Sequence, residues 1–364
     1  MKESVCSCIP VIFSVDECWL PYVGVAIYSL CRKTNPEMLY DIWIIGAGFS
    51  FPMMEEMKKI TKKFKHVRLK FKMLGNAILN ILSGKDLNGV TQSTYYRLWL
   101  GTLFPEYKRV VYLDADVLLN ADVAELFNMD LEGKLIGAAT DISVLKCMSQ
   151  KSGSSNPNTE FLKKMGVQDM NQYFNAGVLV LDLEGIRNQG MEAILMNLLN
   201  QKTFFNHDQD ILNIAFYGLR KPLPPEWNFQ FEPYLEEMPD SSEWVGTEFG
   251  DLYRVHDERS WKVLHLIETK PWDFWHKIPA NVTHGRVWWR QALAAPAFKK
   301  HLEWVLMEVC KHARLCLFMH QWKMIFSFGR VRTRRRKRAE LWKRYKEMLN
   351  HEITEYGSLG RWRD

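Results

Sequence analysis

The sequence of 364 residues contains no apolar run of about eighteen residues, the length that a helix needs to cross a membrane. The nearest approach, residues 313–328, carries Arg314 and Lys323. The N-terminal segment lacks the pattern of a secretory signal, because Pro10 interrupts its apolar stretch and no small-residue cleavage site precedes Asp16. We therefore expect neither a membrane-spanning nor a secreted protein.

Cysteine is scarce as well, with seven residues at irregular spacing. Hydrophobic residues make up 47% of the chain, which is enough for a core that does not depend on disulfide bonds. Cys6 and Cys8 are not followed by a second Cys or His pair at zinc-finger spacing. These absences predict reduced thiols in a cytoplasmic protein and argue against a structural zinc site.

Positive charge is concentrated near the C-terminus. The net charge is +6, yet thirteen Lys or Arg residues lie between Lys311 and Lys346, where Glu340 is the single acid. The remaining sequence has 35 basic and 41 acidic residues. Because this acidic body offers no extended basic groove, we expect no specific nucleic-acid partner; nonspecific binding by the basic segment is the alternative.

Short apolar runs alternate with segments of helical spacing, which predicts an α/β fold with a mostly parallel, Rossmann-like sheet and helices on both faces. In such a sheet, ligands bind at the carboxyl ends of the strands. The predicted strands are Val11 to Val15, Asp41 to Ile45, Val67 to Met73, Arg109 to Leu113, Leu135 to Ala139 and Gly177 to Leu181. The predicted helices are Pro21 to Cys31, Pro52 to Phe64, Thr94 to Leu103 and Leu183 to Asn200.

Strand signals stop at about Val287, after which aromatic and basic residues follow a helical pattern. We therefore place a domain boundary near Gly285, between a main domain over residues 1–285 and a basic, aromatic-rich helical region over residues 286–364. Two surface loops are predicted, one rich in Ser, Gly and Asn and one with three prolines. They are Ser149 to Asn158 and Pro222 to Pro225.

The most informative stretch is an apolar strand that runs directly into two carboxylates, Asp114 and Asp116. Their spacing of two directs both side chains to the same side of the strand end. Two nearby carboxylates are costly unless they are protonated, hydrogen-bonded or bound to a cation, and a hard divalent ion suits them. The pattern favours metal binding over its alternative, an ordinary acidic turn.

Two further segments place polar or small residues at the ends of predicted elements. Asn175, Ala176 and Gly177 open an apolar strand, where small residues permit the close approach of a bulky ligand; an ordinary strand with a bulge is the alternative. The segment Asp208-Gln209-Asp210 begins a helix, and Asp208 is also a common helix cap. Neither segment identifies a function by itself.

His265 follows apolar residues, and Lys270 lies five positions later. Histidine is a common metal ligand, and lysine binds phosphate groups. A lone histidine in an apolar run is more often a core residue. The functional interpretation of His265 therefore depends on the other motifs.

In order along residues 10 to 275, these segments resemble the motifs of glycosyltransferase family 8, whose members include bacterial lipopolysaccharide galactosyl- and glucosyltransferases. The matching segments are Ile12 to Asp16, Ser93 to Leu98, Tyr112 to Asp116, Phe174 to Leu179, Asp208 to Asn213, His265, and Lys270 to Trp272. Between His265 and Lys270 the family usually has one more residue and a Gly. The resemblance implies a GT-A catalytic domain over residues 1–285.

The resemblance also implies specific roles. Asp114, Asp116 and His265 would bind Mn²⁺ or Mg²⁺, and Gln209 would lie near the anomeric carbon, with Asp208 and Asp210 as candidate catalytic carboxylates. A UDP-sugar would be the donor. The implied donor-binding residues are Ser14, Asp16, Arg97, Asp114, Ala115, Asp116, Asp141, Asn175, Ala176, Gln209 and Lys270.

The implied reaction transfers galactose or glucose from a UDP-sugar to a saccharide acceptor, the core of lipopolysaccharide or lipooligosaccharide, with retention of anomeric configuration. Retention requires either a covalent sugar intermediate or attack by the acceptor on the face that UDP leaves, and the sequence leaves both open. The neutral amide of Gln209 is a poor nucleophile, which favours same-face attack. A non-catalytic nucleotide-sugar-binding protein of the same fold is the alternative.

If the acceptor is lipid-linked, the basic region can bind the membrane that carries it. Each Lys or Arg near an anionic membrane contributes on the order of 1 kcal/mol of binding free energy. The predicted interfacial anchors are Trp304, Trp322, Phe326, Phe328 and Trp342. We expect a cytoplasmic protein that binds peripherally to the inner face of the cell membrane; a solvated basic tail is the alternative.

Overall fold

The structure is a computed structural model that describes residues 8–83, 85, 90–143, 157–201, 204–230, 261–267, 269–273, 282–325 and 329–356. The predicted loop from Ser149 to Asn158 lies outside these residues, except for its last two, which begin a helix. The described residues form two compact units. The first runs to Gln230 and includes the segment that ends at His265, and the second includes the residues from Leu266 onward.

The first unit is built on a seven-stranded sheet and a three-stranded sheet. The strands in chain order are β1 (Cys8–Ser14), β2 (Leu39–Gly46), β3 (Val67–Met73), β4 (Arg109–Leu113), β5 (Val117–Leu119), β6 (Ile136–Thr140), β7 (Phe174–Asp182), β8 (Arg220–Pro222), β9 (Phe229–Gln230) and β10 (Val263–His265). The larger sheet has the order β3-β2-β1-β4-β7-β6-β8, with β7 antiparallel to both neighbours and the other pairs parallel. The predicted α/β fold with a mostly parallel sheet is confirmed.

The central strands are apolar along their length because both of their faces are covered. In β7 every residue from Phe174 to Leu181 is buried, including the polar Asn175. This strand begins three residues before the predicted start at Gly177. The extension pairs Phe174 with Thr140 of β6 across a bulge, which the apolar pattern alone does not indicate.

The helices of the first unit are α1 (Leu20–Cys31), α2 (Phe51–Thr61), α3 (Asn76–Ser83), α4 (Leu100–Leu103), α5 (Val123–Phe127), α6 (Pro157–Lys164), α7 (Leu183–Asn188), α8 (Met191–Gln201) and α9 (His207–Ala215). The helix predicted from Leu183 to Asn200 is two helices, because Gly190 adopts the left-handed conformation with φ 64° and ends α7. The helix predicted from Thr94 to Leu103 is a 3₁₀ segment, Gln92–Trp99, followed by the single turn of α4.

The predicted proline-rich loop is also more regular than expected. Pro222 ends β8, and Pro225 begins the 3₁₀ turn Pro225–Asn228, which leads directly into β9. The smaller sheet has the order β5-β10-β9, with β10 antiparallel to β5 and parallel to β9. This sheet joins three segments that are distant in sequence, and it positions His265.

The second unit contains the helices α10 (Val282–Ala294), α11 (Lys299–Ile325) and α12 (Gly329–Tyr356), so the predicted helical C-terminal region is confirmed. Gly285, where the sequence predicts a domain boundary, lies within α10, where an added Cβ would approach Tyr345 of α12 to 3.3 Å. The compact units divide earlier, after His265. The division of function at residue 285 stays a prediction.

Trp342 belongs to the core of the second unit. It is 2% exposed and packs edge-on against His312 of α11 and Tyr345 of α12, with ring centroids 5.5 Å and 6.1 Å away. The prediction that Trp342 anchors the chain in a membrane interface is therefore wrong. A tryptophan in a helical pattern can face either side of the helix, and this one faces the neighbouring helix.

The other predicted anchors differ from Trp342. Trp304 and Trp322 are 50% and 55% exposed, whereas Phe326 and Phe328 lie outside the described residues. Among the helices of the described ranges, none has the length and apolar character needed to cross a membrane.

Asp41 joins β2 to β3 through a buried carboxylate, which is 3% exposed. It accepts hydrogen bonds from Arg68 Nε at 2.6 Å, Lys70 Nζ at 2.9 Å and Tyr107 Oη at 2.7 Å. Burial by itself raises the pKa of Asp41, but the hydrogen bonds from Lys70 and Tyr107 outweigh it and hold the pKa below its ordinary value.

We expect Asp41→Asn to lower the free energy of unfolding by about 1–3 kcal/mol at neutral pH, because hydrogen bonds to an ionised group are weakened. Since the folded-state pKa of Asp41 is depressed, its contribution is present above the ordinary Asp pKa and is lost as the pH falls through the folded-state value. Urea unfolding at a series of pH values measures this difference. The exposed Asp130→Asn is the control; a difference for Asp41→Asn that persists in strong acid would contradict the assignment.

Candidate active site

The acidic pair lies where the main sheet passes into the smaller sheet. Asp114, Ala115 and Asp116 are the three residues between β4 and β5. The backbone N–H of Asp114 donates to the carbonyl of Gly177 on β7 at 2.8 Å. The connection is thereby held against the strand that carries Asn175 and Ala176.

His265 reaches the acidic pair through strand pairing. It is the last residue of β10 and pairs with Val117, the residue after Asp116. Its Nε2 atom lies 3.3 Å from Asp116 Oδ1 and 3.8 Å from Asp114 Oδ2, and the residue is 4% exposed. One ligand atom from each of the three predicted metal ligands lies within 4.8 Å of the others.

This donor set fits a divalent cation. Carboxylate oxygens suit Mg²⁺ and Mn²⁺, and an imidazole nitrogen adds a ligand preferred by transition metals. His265 Nδ1 lies 3.0 Å from Asn228 Oδ1, which leaves Nε2 facing the two carboxylates. Two carboxylates and a ring nitrogen gathered at one point are most favourable around a cation. Asp114, Asp116 and His265 would hold the ion.

Gly177 provides the space for His265. A Cβ atom at Gly177 would lie 2.1 Å from His265 Cε1 and 2.9 Å from Asp114 Oδ2, closer than real side chains approach. The sequence predicts that small residues here admit a bulky ligand. At Gly177 the group that approaches the backbone is instead the imidazole of the chain itself.

Arg97 is the buried cation of the site, 7% exposed. Its Nη2 lies 3.0 Å from Asp114 Oδ1, and its Nε lies 2.8 Å from Asp208 Oδ2. Nη1 donates to the carbonyl of Ala176 at 2.6 Å, and the guanidinium lies 4.5 Å from the ring centroid of Tyr112. Burial alone lowers the pKa of Arg97, but Asp114 and Asp208 raise it, so the charge is permanent.

Asp208 lies in the first turn of α9 and is 3% exposed. Burial raises its pKa to about 7, and the neighbouring Arg97 only partly offsets this effect. Because Arg97 Nε directs its hydrogen to the carbonyl of Thr94, 3.1 Å away, the contact with Asp208 is an ion pair without an aligned hydrogen bond. A carboxyl group with a pKa near neutrality can accept or donate a proton.

A hydrogen-bond network joins the residues predicted to surround the sugar. Asp141 Oδ2 accepts from Asn175 Nδ2 at 3.0 Å and from Gln209 Nε2 at 3.1 Å. Gln209 Oε1 accepts from the N–H of Ala176 at 3.0 Å, and Gln209 Nε2 also lies 3.2 Å from Tyr173 Oη. The structure therefore brings together four of the predicted residues.

Gln230 holds the segment that carries Asp141. Its Nε2 donates to the carbonyl of Thr140 at 2.9 Å, and its Oε1 accepts from the N–H of Ile142 at 3.0 Å. These are the residues on either side of Asp141. The side-chain amide therefore fixes the backbone at the end of β6.

Asp210 is connected to this network through Tyr173. It is fully buried and accepts hydrogen bonds from Tyr173 Oη at 2.6 Å and from the N–H of Asn206 at 2.9 Å. Burial raises its pKa, and the hydrogen bond from Tyr173 opposes this effect. Through these contacts Asp210 stabilises the start of α9.

A pocket of about 370 Å³ opens beside the acidic pair. Five predicted residues line it, namely Ser14, Arg97, Asp114, Ala115 and Asp116. Lining residues that were not among the predicted site residues include Trp19, Thr91 and Ser93. Ser14 Oγ donates to the carbonyl of Ser93 at 2.6 Å, which joins β1 to the 3₁₀ segment that carries Arg97.

Two other predicted residues have distinct settings. Asp16 directly precedes the 3₁₀ turn Glu17–Trp19. Burial raises the pKa of the nearby Tyr96 to about 12, and the negative charge of Asp16 adds to this effect. Lys270 belongs to the second unit, where its ammonium group donates to the carbonyl of Leu266. A role for Lys270 in binding diphosphate stays a prediction.

Asn228 is the site residue that the sequence reveals least. It ends the 3₁₀ turn before β9 and is 2% exposed. Its Oδ1 lies 3.0 Å from His265 Nδ1, and its Nδ2 donates to Asn175 Oδ1 at 2.9 Å. The only signal in the sequence is a polar residue between the apolar Trp227 and Phe229.

A mostly parallel, Rossmann-like sheet, with an acidic pair at a strand end facing a histidine from a small second sheet, defines a GT-A glycosyltransferase. The family model described as glycosyl transferase family 8 matches residues 10–276. The chain belongs to this family, as the motifs predict.

Similar proteins include two bacterial enzymes and one solved structure. The chain is 26% identical over 277 residues to lipopolysaccharide 1,2-glucosyltransferase of Escherichia coli, covering 75% of each protein. It is 23% identical over 275 residues to lipopolysaccharide 1,3-galactosyltransferase of Salmonella typhimurium, covering 74% of each. The galactosyltransferase LgtC, solved with donor and acceptor sugar analogues, superposes with a TM-score of 0.59 at 21% identity, over 82% of this chain and all of LgtC. This last likeness concerns the fold.

We expect Gly177→Ala to weaken Mn²⁺ binding by at least about tenfold, because the added methyl group displaces His265 from the acidic pair. Calorimetric titration with Mn²⁺ measures the change. Gly48→Ala is the matched control, since a Cβ at Gly48 meets nothing within 4 Å. A folded Gly177→Ala variant with the affinity of the wild type would contradict this account of the site.

Proposed function

We propose that the protein transfers galactose or glucose from a UDP-sugar to a saccharide acceptor, with retention of anomeric configuration and with Mn²⁺ or Mg²⁺ as cofactor. The observation that carries the proposal is the convergence of Asp114, Asp116 and His265 beside a pocket lined by Ser14 and Arg97. A divalent ion in this position would stabilise the negative charge that develops on the diphosphate as the sugar bond breaks.

Arg97 acts on the site by positioning its carboxylates. Its three guanidinium nitrogens are engaged with Asp114, Asp208 and two backbone carbonyls. Because a buried charge of this kind is held in one geometry, it orients Asp114 Oδ1 and leaves Asp114 Oδ2 directed at His265. The nucleotide then binds in the pocket beside Ser14, with Asp16 as the proposed partner of the uridine.

Asp141, Asn175, Ala176 and Gln209 form the proposed sugar-binding side. Their hydrogen bonds to one another hold the amide and carboxylate groups at fixed angles, which is the property needed to distinguish hydroxyl positions on a sugar ring. Asp208, with its pKa near 7, stays a candidate catalytic carboxyl beside Gln209.

The contacts of Gln209 favour same-face attack by the acceptor. Its Oε1 accepts from Ala176, and its Nε2 is shared between Asp141 and Tyr173. A neutral amide with both ends engaged is a poor nucleophile, and Asp210 is buried against Tyr173. In this mechanism the acceptor hydroxyl attacks the anomeric carbon as the sugar–phosphate bond breaks, and its proton passes to the departing diphosphate oxygen.

The acceptor is proposed to be the core saccharide of lipopolysaccharide or lipooligosaccharide. Support comes from the two enzymes of this class that are 26% and 23% identical to the chain over most of its length. One is named a glucosyltransferase and the other a galactosyltransferase, so both sugars belong in the test.

We expect slow, Mn²⁺-dependent release of UDP from one member of a panel of UDP-sugars in the absence of acceptor. Asp114→Ala and Asp116→Ala should each reduce the rate by on the order of 100-fold or more, because charge stabilisation worth several kcal/mol is lost. Asp130→Ala, which removes an exposed carboxylate that does not line the pocket, is the control.

The outcomes of this measurement separate the alternatives. Hydrolysis of one donor that both variants lose supports the transferase and identifies the sugar. Binding of UDP with Mn²⁺, without turnover even when acceptor saccharides are supplied, would indicate a non-catalytic nucleotide-sugar-binding protein. Absence of both binding and turnover would overturn the proposal.

The second unit is proposed to bind the anionic inner face of the cell membrane. Four exposed apolar side chains of α11, Leu315, Phe318, Met319 and Trp322, have the spacing of one helix face. Among the side chains of α12 whose burial the structure describes, the exposed basic ones are Arg336, Lys337, Arg338, Lys343 and Arg344. An apolar helix face accompanied by cationic side chains is typical of interfacial binding.

We expect the protein to sediment with vesicles containing phosphatidylglycerol and to be released by about 0.5 M NaCl, because salt screens the contribution of Lys and Arg. Phe318→Ser combined with Trp322→Ser should weaken binding by about tenfold, because apolar burial in the interface is lost. Ile194→Ser, at an apolar position of the first unit that is 45% exposed, is the control. Equal sedimentation with neutral vesicles would contradict the proposed electrostatic attraction between the basic side chains and the membrane.

A further inference from the structure

Asn228 connects the three proposed metal ligands to the proposed sugar-binding side. It lies between His265, whose Nδ1 is 3.0 Å from Asn228 Oδ1, and Asn175, whose Oδ1 is 2.9 Å from Asn228 Nδ2. Asn175 in turn donates to Asp141 through Nδ2 at 3.0 Å and accepts from the N–H of Gly177 through Oδ1 at 3.0 Å. All of these hydrogen bonds are buried.

The orientation of this chain of amides follows from its fixed ends. The backbone N–H of Gly177 can only donate, so the atom of Asn175 that faces it is the oxygen. With its oxygen facing Gly177, Asn175 directs its nitrogen to Asp141 Oδ2, 3.0 Å away. Asn228 must therefore present its NH₂ group to Asn175, and its oxygen to His265. The amide assignments rest on these groups rather than on a choice of rotamer.

The orientation of Asn228 determines where His265 carries its proton. Because Asn228 Oδ1 is an acceptor, Nδ1 of the neutral imidazole is the N–H that donates to it. Nε2 then has a free lone pair, directed at the space between Asp116 Oδ1 and Asp114 Oδ2. This is the tautomer that can bind a metal ion through Nε2.

The opposite tautomer of His265, with the proton on Nε2, could form a hydrogen bond that competes with metal binding. With its proton on Nε2, His265 would donate to Asp116 Oδ1, 3.3 Å away, and Nε2 would have no lone pair for a metal ion. Nothing in the positions of His265 and Asp116 alone prevents it. Asn228 disfavours this tautomer, because an unprotonated Nδ1 would face the oxygen of Asn228. Both atoms would then be acceptors, and no hydrogen bond could form between them.

We infer that Asn228 is a positioning residue that holds His265 as the Nδ1–H tautomer and thereby keeps the Nε2 lone pair available to a divalent ion. The identity of the ion rests on the proposed function. The tautomer does not, because it follows from contacts within the chain.

Two variants of nearly the same size separate this role from simple packing. Asn228→Leu removes the acceptor, so His265 should shift towards the Nε2–H tautomer and Mn²⁺ affinity should fall by about 10–100-fold, the usual cost of losing such a supporting partner. Asn228→Asp keeps an oxygen opposite Nδ1, so it should retain the Nδ1–H tautomer and most of the affinity. Asn120→Leu, at a partly exposed residue that pairs with Lys33, is the control.

The tautomer is read directly from ring nitrogen shifts in protein labelled with ¹⁵N-histidine, recorded at alkaline pH, with His265→Gln to assign the signals. Mn²⁺ affinity is measured on the same full-length proteins by electron paramagnetic resonance. The expected result is loss of both the tautomer and the affinity in Asn228→Leu and retention of both in Asn228→Asp.

Three results would overturn the inference. They are an unchanged tautomer in a folded Asn228→Leu variant, a loss of affinity without a change of tautomer, and equal losses in the Leu and Asp variants. A wild-type protein that binds no Mn²⁺ would count against the proposed function, while the nitrogen shifts of His265 would still decide the role of Asn228.

Discussion

The candidate site depends on how negative charge is held at the end of β4. Asp114 directs one oxygen to Arg97 and the other towards His265 and Asp116. A buried charge costs several kcal/mol unless it is paired, and Arg97 provides that pairing for Asp114 and Asp208 on one side. At Asp114 Oδ2, the proposed divalent ion would likewise pair the negative charge. One carboxylate therefore links a permanent cation to an exchangeable one.

The two sheets bring this charge pattern together from distant parts of the chain. The acidic pair was predictable because it directly follows an apolar strand, and His265 was identified through resemblance to a family. The smaller sheet was not predictable, since its strands have two or three residues and show no periodicity. Asn228 was missed for the same reason, because its position depends on pairing between β9 and β10.

The C-terminal helices show a different limit of sequence reasoning. Their helical structure was predictable from the spacing of apolar residues, and their basic character from composition. Which aromatic residues face outward was not, because α11 and α12 bury one set of side chains against each other and expose another. Trp342 packs on His312, whereas Trp322 is exposed. Without knowledge of the neighbouring helix, a helical pattern does not distinguish the two sets.

The position of His265 in the chain also affects how the protein is made. This proposed ligand is synthesised about 150 residues after Asp116, so a ribosome working at about 5–20 residues per second completes the proposed set of ligands about 7 to 30 seconds after the acidic pair. By then most of the larger sheet is available to fold. An unfolded chain takes up metals largely in their order of intrinsic affinity, whereas a folded site selects by geometry. Late completion would therefore assign the choice of the proposed ion to the folded protein rather than to the nascent chain.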